Sequence, residues 1–403
     1  MRTPFFTMGR DVVQPLGHLP RCGQCQLYLQ CRSPRMKYTG RGQRRILIVG
    51  EAPGAEEDER NEQFVGRAGQ RLQAELRREH LDLFRDCWKT NAIRCRPPEN
   101  KKPTHKMVSA CRPALFAEIL QLQPEAILLF GGVAAEAVLG QWWGPDRWEL
   151  GTWTGWIIPH RQPNCWVSVH YHPSYLERQK DSLLDLLFRQ QLQQAFRKSA
   201  TGRPWTGSLP DEQSDVEILY AVPDIVKRLR SLHGRALALD YETNCLKPEY
   251  PKAQIVSCSV STGRETLAFP WLPVLRPTLR PLLQGPIRKI ASNAKFEERW
   301  TRYHLGYSVQ PWFWDTMLAA HVQNQAKGVT GLKFQAFVRL GLPKYDVLIE
   351  PRLRPRRGAY LNQIREIPLP ELLLYNGTDS RVTYEIAQQQ FQEMYSHDGS
   401  HRR

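Results

Sequence analysis

Three groups of residues in this 403-residue chain have the types and spacing that chemistry requires. The first is a cysteine set: Cys22 and Cys25 form a CxxC pair, and Cys95 and Cys111 follow downstream. Two thiolates on one turn can meet the same metal, and four suit either tetrahedral zinc or an iron–sulfur cubane. Spacing alone leaves both open. The second is Gly50-Glu51-Ala52-Pro53-Gly54, with Glu56, Glu57 and Asp58 close behind and Phe64-Val65-Gly66-Arg67-Ala68-Gly69 after them. A carboxylate at a strand end can position water, and glycines let backbone approach a ligand closely. An acidic helix start is the plainer reading of the same cluster.

The third group is acidic. Asp240-Tyr241-Glu242 ends an apolar run, and residues two apart on a strand share a face. Asn293-Ala294-Lys295-Phe296-Glu297 opens a helical pattern, and Tyr375 and Asp379 sit four apart on another. Acids converging from three elements can carry two divalent ions. Taken one at a time, each is equally an ordinary cap.

These groups need elements to hold them. In the first half, strand-like runs at 45–50, 88–93, 125–131 and 166–170 alternate with helical patterns at 70–79, 104–122 and 183–198. That alternation predicts a parallel sheet covered by helices, with ligands at the carboxyl ends of its strands. Residues 199–215 are rich in Gly, Pro, Ser and Thr and read as a linker. Strand-like runs at 235–240, 254–260 and 265–270 follow, with helical patterns dominating from Lys295 onward, which predicts a separate mixed sheet. The expected organisation is a domain over 1–200, a linker over 201–215, a domain over 216–392 and a polar tail over 393–403.

Composition narrows the partner. Lys and Arg number 56 against 40 Asp and Glu, a formal charge of +16 that favours a polyanion. The start has no apolar core of signal-peptide length, and the apolar run at 126–140 is too short to span a membrane. Nine cysteines without a secretion signal suggest a reducing compartment, hence a cytoplasmic location and no membrane partner. Cys31, Cys87, Cys165, Cys245 and Cys258 read as small buried hydrophobes.

The order GEAPG–FVGRAG–NAIRCRPP–HPS, with the cysteine pair upstream, resembles family 4 uracil-DNA glycosylases over about residues 15–200. The resemblance implies a three-layer α/β/α glycosylase fold and a [4Fe–4S] cluster on Cys22, Cys25, Cys95 and Cys111. It implies uracil binding by Ala52, by Phe64 as the stacking aromatic and by Asn91 as the amide on the pairing edge. His172, in His172-Pro173-Ser174, matches the histidine that stabilises the departing uracil anion. Glu51 is assigned to the hydrolytic water, with Glu57 in support. His170 is read as structural, sharing one face of a continuing strand with His172. Lys101 and Lys102 suit phosphate contacts.

The acidic groups, in their order, resemble DEDD exonucleases of the Tyr-containing subgroup, near the proofreading domains of family A polymerases, over about residues 216–392. That implies an RNase H-like fold in which Asp240, Glu242, Glu297 and Asp379 hold two Mg²⁺ or Mn²⁺ ions and Tyr375 orients the water. Asp315, in a stretch common to those domains, is read as supporting. Glu297 departs from the Asp usual there. The chain is therefore expected to excise uracil from single- and double-stranded DNA and to trim 3′ ends, in a bacterial or phage-infected cell and beside a separate polymerase. The alternatives are an exonuclease fold that only holds DNA, or a replication adaptor without catalysis.

Overall fold

A computed structural model describes residues 21–143 and 149–395. The start of the chain and residues 396–403 of the expected tail lie outside them. The chain forms two compact units, dividing between Ser208 and Leu209. Among the described residues no helix is long and apolar enough to cross a membrane.

The first unit is built on β1 (Ile46–Gly50), β2 (Cys87–Asn91), β3 (Ala126–Phe130), β4 (Ile157–His160) and β5 (Cys165–His170), in the order β2-β1-β3-β5-β4. All neighbours run parallel except β4, an antiparallel edge. Alternation along the strands fills two faces. Ile46, Ile48, Ala126, Leu128 and Phe130 join Leu72, Leu76, Phe188 and Leu192 in one core, beneath helices Arg67–Arg78 and Ser182–Ser199. Leu47, Val49, Ile127 and Leu129 are buried on the other face, where helix Gly132–Trp143 meets β1 and β3 and is itself flanked by helix His105–Leu122. This is the expected α/β/α layering. Strand β4 was not legible in the sequence because it carries Pro159, which an edge strand tolerates.

Two expectations change. Strand β5 ends at His170, and His172 is the N-cap of helix Pro173–Gln179, so the two histidines do not share a strand face. Pro173, at the first helical position, was the available signal. The glycine- and proline-rich stretch after 199 is also not loose at its start. Trp166 Nε1 donates to the Gly202 carbonyl at 2.8 Å, Arg203 donates to the Asn164 carbonyl at 2.7 Å, and Asn164 Nδ2 donates to the Trp205 carbonyl at 2.6 Å.

The second unit holds β6 (Val216–Ile218), β7 (Ala236–Thr243), β8 (Ile255–Ser261), β9 (Thr266–Pro270), β10 (Arg288–Ala291) and β11 (Trp312–Asp315), ordered β11-β10-β7-β8-β9-β6. Strands β7, β8 and β9 form an antiparallel meander, and β10 and β11 extend it in parallel from β7. This is the RNase H-like mixed sheet. Strands β6, β10 and β11 are only three or four residues long and mixed in polarity, so the sequence left them among turns and helices.

Strand β7 turns Leu237, Leu239 and Tyr241 into a core with Ile225, Leu279 and Trp300. Its even-numbered residues face the other way, where Ala236 and Ala238 meet Ala387 of helix Leu369–Tyr395. That helix runs 27 residues, through what was expected to be the start of the tail at 393. It lies close on the sheet because Gly377 has no side chain: a Cβ there would stand 2.3 Å from Val216 Cγ1 and 3.2 Å from Ala268 Cβ. Gly377→Ala is expected to lower stability by about 1–3 kcal/mol, the usual cost of overpacking. Denaturant melts of the second unit's transition would read it.

Candidate active sites

In the first unit the site forms at the carboxyl ends of the parallel strands. A cavity of about 370 Å³ is lined by Glu51, Ala52, Glu57, Phe64, Asn91 and His172, together with Lys101, Ser174 and Arg178. All six first-site residues expected from the sequence thus meet around one space. Gly50 lies against two of these side chains. A Cβ at Gly50 would fall 2.4 Å from Asn91 Oδ1 and 2.9 Å from Phe64 Cζ, so amide and ring close over the bare backbone. Phe64 reaches this position with φ +58, a left-handed conformation that costs a non-glycine roughly 1–3 kcal/mol. Gly69 makes room for it, since a Cβ there would collide with the Phe64 carbonyl at 1.9 Å.

The two carboxylates differ. Glu57 accepts from the Gly54 N–H at 3.1 Å and the Gly66 N–H at 2.8 Å, so it fastens both glycine loops and caps helix Ala55–Arg60. That use of both oxygens makes it a scaffold of the pocket rather than a free base. Glu51 accepts from the Val133 N–H at 3.2 Å, at the start of helix Gly132–Trp143. Burial raises its carboxyl above the ordinary value, with the Val133 N–H, Lys102 and Arg178 pulling the other way.

His172 has a defined tautomer. The Ser174 backbone N–H donates to Nδ1 at 3.3 Å, which requires a lone pair there. The Ser174 hydroxyl lies 2.7 Å from the same nitrogen, and Arg178 Nη1 donates to that hydroxyl oxygen at 3.3 Å. The ring proton is therefore on Nε2. Burial, reinforced by Arg178, holds the pKa down to about 4, against the opposing pull of Glu57 and Glu177. Neutral His172 is thus a donor through Nε2. The sequence reading missed Arg178; its four-residue offset from Ser174 places it one helical turn on, a signal only once the helix is known. His170 is buried, 2.9 Å from Ser168 Oγ and stacked on Phe130.

Cys22, Cys25, Cys95 and Cys111 line a second cavity in this unit, with Tyr28, Arg35 and Arg94. They come from the turn Cys22–Cys25, the segment after β2 and helix His105–Leu122. The Arg21 N–H to Ala110 carbonyl bond, 2.9 Å, ties that turn to the helix, and the Arg35 N–H donates to Cys95 Sγ at 3.2 Å. Burial pushes the Cys95 thiol up to about 12 and Cys111 up to about 11, and neighbouring thiols push further in the same direction. Thiolates gathered this way need a cation among them, so the donor set fits a thiophilic metal centre. Cys87, Cys165, Cys245 and Cys258 are buried as expected, but Cys31 is only half-buried and its side chain pairs with that of Cys95.

In the second unit, ligand atoms of Asp240, Glu242 and Asp379 all lie within 4.8 Å of one another. Glu297, on the first turn of helix Ala294–Leu305, is buried outside that trio, with Oε2 lacking a hydrogen-bond partner. Burial and repulsion from neighbouring carboxylates raise three of these groups: Asp240 to about 7, Glu242 and Glu297 well above the usual range. Asn376 Nδ2 donates to Asp240 Oδ2 at 2.6 Å, and Tyr345 and Lys333 both donate to Asp379 Oδ1. Tyr375 is buried beside Tyr345, ring centroids 6.2 Å apart. Sequence reasoning missed Lys333, Tyr345 and Asn376; only Asn376, next to Tyr375, had a flag nearby. Asp315 accepts from the N–H groups of Asn293, Ala294, Met317 and Leu318, a supporting role as expected.

Comparison with known proteins bears on both units. Residues 36–200 match the family model for the uracil DNA glycosylase superfamily. A DNA polymerase of Bacillus phage SP01 is 23% identical over 393 residues, 88% of this chain and 40% of that protein. Among solved structures, Brucella melitensis NrnC with bound Mg²⁺ aligns at a TM-score of 0.35 and 18% identity, over 45% of this chain and 82% of that one. The type-4 uracil-DNA glycosylase of Pyrobaculum aerophilum is 36% identical over 163 residues, 40% of this chain and 81% of that protein. By that match, over the segment that builds the first cavity, the chain belongs to the type-4 uracil-DNA glycosylases.

Proposed function

We propose that the first unit hydrolyses the N-glycosidic bond of uracil in DNA. The observation that carries this is the single cavity in which Glu51, Phe64, Asn91 and His172 converge. A flipped uracil stacks on Phe64 and meets Asn91, whose amide accepts from N3–H and donates to O4. Cytosine presents the opposite pattern. As the N1–C1′ bond breaks, its electron pair moves onto the base, and the Nε2–H of neutral His172 donates to the developing anion at O2. Glu51 holds the water that bonds to C1′ and takes its proton. Arg178 and the lysines Lys101 and Lys102 face the phosphates. Cys22, Cys25, Cys95 and Cys111 would hold a [4Fe–4S] cluster, which would supply a structural tie between the CxxC turn and the loop after β2.

An oligonucleotide with one uracil, incubated in EDTA and then heated in alkali, is expected to break only at the uracil. Asn91→Ala should reduce that cleavage by about two orders of magnitude. Intact cleavage by the variant, or no cleavage by iron-loaded wild type, would remove this reading.

Acidification gives a second test. A carboxyl raised by burial takes up its proton at a higher pH than an exposed glutamate, so excision should fall as pH drops through that raised value. Glu51→Gln should be slower by roughly 10²–10³-fold and lack this acid limb. An identical limb in the variant would assign it elsewhere.

For the second unit we infer Mg²⁺- or Mn²⁺-dependent removal of nucleotides from DNA 3′ ends, carried by the trio Asp240, Glu242 and Asp379. Divalent ions held there would stabilise the entering and leaving oxygens of the phosphate. Tyr375 orients the attacking water. The position of Glu297 outside the trio favours a second reading, in which this unit binds DNA ends without cutting them. Asp240→Ala separates the two: Mg²⁺-dependent shortening of a 3′ end should disappear while uracil excision in EDTA is unchanged. If wild type shortens nothing in Mg²⁺, the binding reading stands instead.

A further inference from the structure

Lys333 is the second residue of helix Leu332–Leu340, with its side chain only 15% exposed. Its ammonium donates to Asp379 Oδ1, the oxygen that also accepts from Tyr345. It stands 4.1 Å from the centroid of the Tyr345 ring and 4.3 Å from that of Tyr375. Both ring faces attract a cation, so the side chain is held from three directions. In the surrounding sequence, Gly331-Leu332-Lys333-Phe334-Gln335-Ala336, it is the one charged residue. An apolar helix start does not need a lysine turned toward a buried carboxylate.

We propose that Lys333 is a positioning residue of the 3′-end reaction: a resident counter-ion that holds Asp379 and Tyr375 in register and competes with divalent cations for Asp379. This rests on the exonuclease reading above. An ammonium and a divalent ion cannot share one carboxylate oxygen without repelling across a few ångströms of partly desolvated space. Either the lysine swings off Asp379 when the ion binds, or the ion binds against its field. Both routes weaken divalent binding relative to the same site without the lysine. When the lysine is removed, Asp379 keeps Tyr345 but loses the charge that balances Asp240 and Glu242 nearby.

The signs of the effects are therefore opposed. Removing a structural lysine would weaken metal binding and stability together. Removing a competing counter-ion lowers stability of the EDTA-treated protein but tightens metal binding. Lys333→Met keeps most of the stem volume while deleting the charge, and Lys333→Gln is a second, more polar replacement.

The experiment is Mn²⁺ titration of the full chain, EDTA-treated and desalted, with free Mn²⁺ read by electron paramagnetic resonance. Wild type, Lys333→Met, Lys333→Gln and Lys333→Arg would be compared, with Asp240→Ala as the control for the site and circular dichroism for folding. Both neutral variants are expected to bind Mn²⁺ on the order of tenfold more tightly than wild type, and Lys333→Arg to stay near it. Their melting temperature in EDTA should be lower than that of wild type, the gap closing at saturating Mn²⁺. Unchanged or weaker Mn²⁺ binding by a folded neutral variant would overturn the proposal while leaving the exonuclease reading in place. If neither wild type nor the variants bind Mn²⁺ beyond the Asp240→Ala control, the exonuclease reading falls and the proposal with it.

Discussion

Four carboxyl groups are drawn together in the second unit, those of Glu297 and Asp379 buried and those of Asp240 and Glu242 half-buried, and much of its architecture answers that cost. Uncompensated burial of one ionised carboxylate costs several kcal/mol, and neighbours of the same sign add to it. Asp240, Glu242 and Glu297 have their pKa driven upward by burial and by neighbouring carboxylates. The helix that carries Asp379 reaches the sheet only because Gly377 lets it lie close to β6 and β9, and that approach sets Asp379 against Asp240 and Glu242. Asn376, one residue before that glycine, then has its amide in range of Asp240. Close packing and charge clustering are in this sense a single constraint.

The first unit handles polarity differently. Its pocket opens at strand ends, where backbone N–H groups from turns and helix starts supply most of the balance. Glu57 is satisfied by the N–H groups of Gly54 and Gly66, and Glu51 by that of Val133. His172 is kept neutral by burial and by Arg178, and its Nε2 donor face is free because the Ser174 N–H and hydroxyl occupy its other nitrogen. The device is local: a histidine at an N-cap, followed by proline and serine, fixes its own tautomer within three residues. The glycines at 50 and 69 then leave room for side chains that no larger residue would admit.

This difference explains what could be read from the sequence. Glu51, Asn91 and His172 were legible because each lies in a short block at the end of a strand, and Phe64 because it lies in a glycine-flanked block before a helix, where the backbone chemistry of the turn is itself written in Gly, Pro and Ser. The α/β alternation was legible for the same reason. Lys333, Tyr345 and Asn376 were not, because their partners are 46, 34 and 136 residues away in the chain. The apolar surroundings of Lys333 in sequence mark it as unusual but do not say which carboxylate it meets. Glu57, read from the sequence as supporting Glu51, also has a local signal: an acidic residue three places after a glycine turn has the spacing of a cap, and Glu57 caps helix Ala55–Arg60.

Glu297 and Asp315 illustrate how a carboxylate's role follows from its neighbours rather than its type. Asp315 takes four backbone N–H groups, two from the entrance to helix Ala294–Leu305 and two from the start of helix Thr316–Gln323. It is saturated as an acceptor and pins the end of β11 to the base of the helix that bears Glu297. Glu297 is the reverse case. Its Oε2 is buried without a hydrogen-bond donor, and the charges of Asp240, Asp315 and Glu242 all act on it. Since Asp315 fixes where that helix begins, the reach of Glu297 is set by its side chain alone. The extra methylene relative to aspartate sets the carboxyl one bond further from the helix backbone, and at 2% exposure that carboxyl depends on the groups around it rather than on water.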